Sequence, residues 1–366
     1  MLSPALFLVL LLGPITEYRE TDVYQPLMVS EVQLAKNGNL FILSFPEAKI
    51  HMYAADGRLQ RRIGGKGQGP GEFTYPTQIW TENNQLYVFD IHSAEISLFS
   101  QDGSFVKRWK APDRNLILEK VHNGWVYGNW NGFLPEETAP TLTWANETFS
   151  KRKALAKPAH PGTRSGLSTW YNGDQREGRF NPIQNQPIMV VSGDKTRVYL
   201  SHTDRFQIDV YELNDFKKEA SIKRHEKHVP FDTEWADLNF KRMTDDPNLK
   251  NVTWSKNYPK TFPIIRSLQL SSEGLLIVDR WRGKPEAANH YLTLKPSGEV
   301  VDVTWNGALL VRMVGIRGDH AYLTAWDHET EEAYLVKVPK SEAAAYVAAN
   351  PIHYTGPRGR NIHYDF

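Results

Sequence analysis

The chain has 366 residues, with 43 Lys and Arg against 42 Asp and Glu, a formal net charge of +1, 40% apolar residues and 12% aromatic ones. A molecule this close to neutral has no overall field to draw nucleic acid, a membrane surface or an acidic substrate, and the basic clusters Lys151-Arg152-Lys153 and Lys223-Arg224 are too short for a nucleic-acid patch. The absence of cysteine excludes disulfides, thiolate zinc sites, iron–sulfur clusters and a Cys nucleophile.

The first feature along the chain is the apolar run from Pro4 to Gly13. It has the length of a signal-peptide core and is too short to span a bilayer, although neither a basic flank nor a small-x-small cleavage site accompanies it. Residues 1–15 therefore read as an export segment, and the protein as secreted or periplasmic, with a cytoplasmic location as the alternative. No later stretch approaches a transmembrane span.

A strand pattern then recurs. The first unit has apolar stretches at 28–34, 39–43 and 49–53 and a hairpin signal at Asp56-Gly57. The second has them at 77–81, 85–90 and 95–99, with Asp102-Gly103 and a further strand at 105–109. A weaker third unit lies at 117–121, 124–128 and 141–144. The fourth occupies 188–192, 197–201 and 207–211, and the fifth 264–270, 274–279, 290–294 and 300–304 with a turn at Ser297-Gly298. The sixth has 311–316, 320–324 and 333–337. Its missing outer strand is expected from residues 16–26.

A repeat of roughly 40–50 residues made of four short strands is the signature of propeller blades. The expectation is an all-β, six-bladed β-propeller over residues 16–340, with four-stranded blades and two long inter-blade insertions at 156–186 and 225–261. Within the second insertion a helix is expected over 232–243 with Asp232 as N-cap, and another over 341–349 with Ser341 as N-cap. Residues 341–366 form a C-terminal helix and tail.

Between units one and two runs Ile63-Gly64-Gly65-Lys66-Gly67-Gln68-Gly69-Pro70-Gly71-Glu72-Phe73, followed by Pro76 and by Leu86-Tyr87-Val88-Phe89-Asp90. This resembles the NHL repeat, and is closest to the exported bacterial six-bladed propellers of that group. The resemblance covers the first two units well and the other four only through strand pattern. It implies the fold; propellers of this kind include protein and RNA binders, sensor domains, and a few lyases and lactonases. The zinc-binding histidines of the amidating lyases and the calcium-binding Glu, Asn and Asp of the lactonases have no residue-by-residue match here. The glycines serve a sharp crossing between blades, since Pro70 stands where a phosphate cradle needs a third glycine.

Several residues are candidates for chemistry. Asp90 and Asp279 end strands, and His92, His202 and His328 lie in the same kind of turn, so a Ca²⁺ or Zn²⁺ ion is the cofactor such a set would hold. Aspartates in turns more often cap backbone amides. His225-Glu226-Lys227-His228 departs from the zinc-protease pattern, which needs histidines four apart on a helix, and reads as an exposed basic loop. The insertions carry Trp170, Tyr171, Arg179 and Phe180, then His225, His228, Trp235, Lys241 and Arg242. Arg280-Trp281-Arg282 extends the same rim. Trp, Tyr and Arg are the residue types that anchor interfaces. The reading is a monomeric binding module that takes a peptide, glycan or partner protein on its loop-bearing face. The alternative is a metal-dependent lyase or lactonase at a central channel.

Overall fold

The structure, a computed structural model, describes residues 16–18, 29–35, 37–45, 47–114, 116–128, 141–156, 166–181, 187–245, 247–256, 258–270, 274–280, 291–301, 313–317, 319–327 and 332–350. A short strand β1 (Thr16–Tyr18) precedes β2 (Val29–Leu34), β3 (Leu40–Ser44), β4 (Lys49–Tyr53) and β5 (Leu59–Gly64), which form one antiparallel sheet in that order. A second sheet follows from β6 (Pro76–Glu82), β7 (Gln85–Asp90), β8 (Glu95–Phe99) and β9 (Phe105–Lys110). The third comprises β10 (Ile117–Val121), β11 (Gly124–Gly128), β12 (Leu142–Ala145) and β13 (Arg152–Ala156). Next come β14 (Gly166–Asn172) and β15 (Gln175–Asn181), outside this series, then the fourth sheet, β16 (Pro187–Val191), β17 (Arg197–His202), β18 (Gln207–Glu212) and β19 (Lys217–Lys223).

Helix α1 (Thr233–Thr244) and strand β20 (Val252–Lys256) lead to the fifth sheet, β21 (Ile265–Leu270), β22 (Leu276–Arg280), β23 (Tyr291–Leu294) and β24 (Val300–Val301). The sixth is β25 (Met313–Arg317), β26 (His320–Asp327) and β27 (Glu332–Pro339), completed by β1, whose Thr16, Glu17 and Tyr18 face Lys337, Val336 and Leu335. The strand expected from the N-terminal segment is thus present and pairs where the sixth unit lacked one. A 3₁₀ turn (Lys340–Glu342) and helix α2 (Ala343–Ala349) end the described chain.

Burial explains the strand order. The second strands β3 and β11 are buried throughout, and β7 and β17 are buried after their first residue, so they read as continuous apolar runs. The fourth strands β5 and β19 are mostly exposed and carry Arg and Lys. The third-to-fourth hairpins repeat one turn. Ala54 N–H donates to Arg58 O and Gly57 N–H to Ala54 O, and the same pair of bonds recurs at Ser100–Ser104 and Lys295–Glu299. The turn needs a left-handed residue, supplied by Gly57, Gly103 and Gly298 at φ +88, +81 and +89.

The chain divides into two compact units, one of Met1–His92, Ser97–Arg108 and Asn306–Phe366, the other of Ser93–Ile96 and Trp109–Trp305. The first has a core of Phe41, Leu43, Ile50, Ile79, Val88 and Phe99. The second has one around Tyr199, Ile208, Val210, Leu268 and Val278 and another around Val126, Leu142, Val198 and Leu200.

Helix α1 starts where expected, with the Asp232 carboxylate accepting from Trp235 N–H at 3.0 Å. The C-terminal helix differs. Ser341 lies inside the 3₁₀ turn and is not the cap; Glu342 is the N-cap residue and makes no side-chain cap bond. Pro339 ends β27, and Lys340 N–H already donates to Asp319 O at 2.7 Å, so the chain tightens into a 3₁₀ turn before the α-helix begins.

Candidate functional site

The two segments that interrupt the repeat meet in the second unit. Strand β15 pairs antiparallel with β14 and parallel with β20, with Arg176 facing Val252 and Phe180 facing Lys256. Asn172 pairs with Gln175 across a two-residue loop whose first member, Gly173, has φ +60, the requirement of a type II′ turn. One face of this sheet packs under α1. Phe180 is fully buried, its ring 5.2 Å from Phe240 and 6.3 Å from Tyr258, while Trp254 stands edge-on to Phe240 at 5.8 Å. Phe231 continues the cluster to Tyr258 at 5.8 Å and Phe262 at 4.9 Å, and Trp235 packs on Phe231 and Phe262 at 6.3 and 6.0 Å. Such aromatic pairs each add about 0.5–1.5 kcal/mol beyond area burial. Lys256 ties the sheet to the helix, 2.6 Å from Asp237 and 4.4 Å from the Phe240 ring centroid. Tyr258 also donates to Asp237, and burial together with that carboxylate raises the phenol above its ordinary range.

A polar rim adjoins this layer. Glu226 accepts from Arg280 at 3.0 Å and lies 3.7 Å from Arg224, and the Glu226 and Arg280 side chains are only 11% and 15% exposed. Arg224 N–H donates to Phe206 O at 3.1 Å, and Thr203 O accepts from Ile264 and Ile265 at 2.7 and 3.0 Å. The turn after β17 is thereby bound to the start of β21, whose Ile265 faces Arg280. In that turn the Asp204 carboxylate takes His202 Nδ1 at 2.8 Å and a two-pronged contact from Arg205, both at 2.9 Å. Burial pushes this carboxyl up, but the bonds from His202 and Arg205 outweigh it and hold it well below the usual carboxylate range.

The sign of the resulting pH dependence follows. Asp204 stays ionised in the folded protein where the unfolded chain, near 3.8, takes up a proton. Its contribution is present above that value and is lost as pH falls below it. Asp204→Asn is expected to flatten the acid limb of stability by about 1–2 kcal/mol. Between pH 7 and pH 2.5 the gap in thermal midpoint between variant and wild type should narrow without closing; parallel curves would rule out the linkage.

The residues singled out from sequence are placed differently from one another. Tyr171 is 75% exposed at the tip of the β14–β15 hairpin, and Arg179, His225 and His228 are exposed. Trp235 and Phe180 are packing residues of the aromatic cluster, and Arg280 is held by Glu226 and so is not a ready ligand contact. Trp170 belongs to β14 and stands opposite Glu177 in register. Trp281, Arg282 and His328 lie outside the described residues.

Asp90 and Asp279 do not occupy equivalent positions. Asp90 faces Pro76 at the end of β7, and its counterpart at the end of β22 is Arg280, facing Ile265. Asp279 comes one residue earlier, in the place of Phe89, and a one-residue step turns a side chain to the opposite face. The Asp90 carboxylate accepts from Thr74, Tyr75 and His92 N–H at 2.5, 2.9 and 3.0 Å, which pins the crossing between β5 and β6. Among the described residues no three His, Asp or Glu come together as a cation site. The glycine-rich crossing is likewise committed to structure. Arg108 donates to Gly69 O and Glu72 O at 3.0 and 2.7 Å, and Glu72 accepts from Gly69 N–H at 2.8 Å. Sequence reasoning noted Asp204 only as a neighbour of the strand-end aspartates and gave no site role to Glu226, Trp254 or Phe240, whose partners lie far away in the chain.

A family model described as a 6-bladed beta-propeller (DUF5128) matches residues 21–163. No curated protein matches the chain significantly. Among solved structures, a candidate exported protein from Bacteroides fragilis is 12% identical, covering 89% of this chain and 94% of its own, with a TM-score of 0.51. A member of the DUF4221 family from Bacteroides vulgatus is 8% identical, covering 90% of this chain and 96% of its own, also at 0.51. A virginiamycin B lyase from Staphylococcus aureus is 12% identical over 89% of this chain and 99% of its own, at 0.42. The family match and the two likenesses at 0.51 speak to the fold alone, an all-β six-bladed propeller in which the four-stranded antiparallel sheets are the blades.

Proposed function

We propose that the chain is an exported binding module that holds an extended peptide segment of a partner protein on the layer built from β14, β15, β20 and α1. The two interrupting segments act there as insertions between blades. The observation that carries this reading is that segments on either side of the fourth sheet in sequence fold into one sheet with an aromatic core of its own. None of those rings belongs to the core of the fourth and fifth sheets, which closes without them. Ordering a segment costs about 1–2 kcal/mol per residue in backbone entropy, so the strand pairing, the helix and the aromatic packing are all needed to hold the layer. What results is a rigid surface that the blades themselves do not need.

Tyr171 on β14 is 75% exposed and Leu238 on α1 is 61% exposed, and Arg224 and Lys227 are exposed in the segment that leads into that helix. An exposed aromatic on a rigid frame supplies contact area at low entropic cost, and the Lys227 ammonium favours an acidic partner. Export is supported by the apolar run from Pro4 to Gly13 and by the likeness to a candidate exported protein.

Panning a random 12-residue peptide library on the immobilised full chain is expected to enrich binders. Their affinity should fall about tenfold, about 1.4 kcal/mol, for Tyr171→Ala at an unchanged thermal midpoint. Absence of enrichment, or binders indifferent to both Tyr171→Ala and Leu238→Ala, would sink the reading.

A further inference from the structure

Four of the six four-stranded sheets carry positive charge on the outermost strand, while the short outer strands β24 and β1 carry none. The outermost strand β5 carries Arg61 and Arg62, β9 carries Lys107, Arg108 and Lys110, β13 carries Arg152 and Lys153, and β19 carries Lys217, Lys218 and Lys223. Charge on an edge strand is a common device against unwanted pairing, because a neighbouring strand would have to desolvate it.

Strand β14 lacks the device. Its seven residues, Gly-Leu-Ser-Thr-Trp-Tyr-Asn, contain no charged residue and no proline, and Leu, Thr, Trp and Tyr make it a good strand former. It is an edge of the three-stranded sheet among the described residues, and is paired with β15 along its whole length from Gly166–Asn181 to Asn172–Gln175. The other edge, β20, ends in Lys256, which is engaged by Asp237 and the Phe240 ring. A seven-residue edge directs the amide and carbonyl groups of alternate residues away from its partner, a ready template for one more strand.

We infer that the partner's peptide adds to the β14 edge as a further strand, so that recognition runs mainly through backbone hydrogen bonds. This rests on the peptide-binding reading above and specifies its mode. The occupant is a segment of a partner, uncharged where it lies along β14, because an ionised side chain there would meet no counter-charge on the strand. Arg179, exposed and opposite Ser168 in the first half of β14, favours an acidic residue toward that end of the segment.

The test uses the strongest library binder and the full chain. N-methylating alternate amides of the peptide should lower affinity at least tenfold for one parity and leave the other parity unchanged, since only every second amide of an added strand faces β14. On the protein, Ser168→Pro and Thr169→Pro should differ in the same way. One removes an outward N–H and abolishes binding at a near-native thermal midpoint; the other breaks a bond to β15 and destabilises the layer. Binding that ignores N-methylation yet still depends on Tyr171 would overturn strand addition and leave the peptide-binding reading standing. No peptide binding of any kind would overturn both. A concentration-dependent dimer abolished by whichever proline variant keeps its midpoint would assign the edge to a second copy of this chain and overturn the peptide occupant.

Discussion

Gly178→Val is expected to dismantle the layer of β14, β15, β20 and α1 while the four-stranded sheets stay folded. A Cβ at residue 178 would lie 2.4 Å from Cζ3 and 2.5 Å from Cε3 of Trp254, and 2.7 Å from Cγ1 of Val252. Neither neighbour can give way cheaply. Val252 is buried in a strand paired with β15, and Trp254 is held by the ring of Phe240. Overpacking usually costs about 1–3 kcal/mol, and valine adds two further methyls to a position with no room for the first carbon, so the upper end applies. Because the cores of the fourth and fifth sheets share none of the layer's rings, the damage should remain local. Hydrogen exchange is expected to show loss of protection across 166–181 and 252–256 with the blade strands still protected, and peptide binding should disappear. Full protection in β15 and β20 of the variant would be incompatible with so close an approach.

The second large effect is expected for Glu226→Ala. Its carboxylate is the partner of Arg280, and both side chains are largely buried. Removing one member of a buried ion pair leaves an uncompensated charge and typically costs about 3–5 kcal/mol; with water still reaching part of this pair, about 2–3 kcal/mol is the reasonable figure. The thermal midpoint should then fall by roughly 3–5 °C. Glu226→Gln, which still accepts a hydrogen bond, should lose about half as much. The double variant Glu226→Ala with Arg280→Ala should be more stable than the sum of the single losses predicts, because it leaves no orphaned charge. Strict additivity in that cycle would show that the two groups do not interact in solution.

The blades were legible because their information is local. Apolar runs such as Leu86 to Phe89 and turn residues such as Asp102-Gly103 are confined to windows of five to ten residues, and each unit repeats them. The same holds for Asp232, which caps α1 through a bond only three residues away. Exposure at the candidate site was not legible from residue type. Tyr171, His225, His228 and Arg179 are exposed. Trp235 and Phe180 carry the same residue-type signal but are consumed by packing, a difference that depends on which rings meet them. Ser341 has the chemistry of an N-cap, yet the proline before it and the bond from Lys340 to Asp319 move the helix start.

The sequence by itself therefore determined an all-β chain of repeated four-stranded units and the helix capped by Asp232. Period, turn chemistry and capping act over a few residues and need no knowledge of distant neighbours. Only the tertiary structure decided that residues 175–181 and 252–256 lie side by side, that Gly178 gives Trp254 its seat, that Glu226 holds Arg280, and that Asp279 is out of step with Asp90. Those are pairings between segments far apart in the chain, and a one-residue difference in register exchanges which side chain meets which partner. Composition and spacing are the same for either register; burial and hydrogen bonding choose between them.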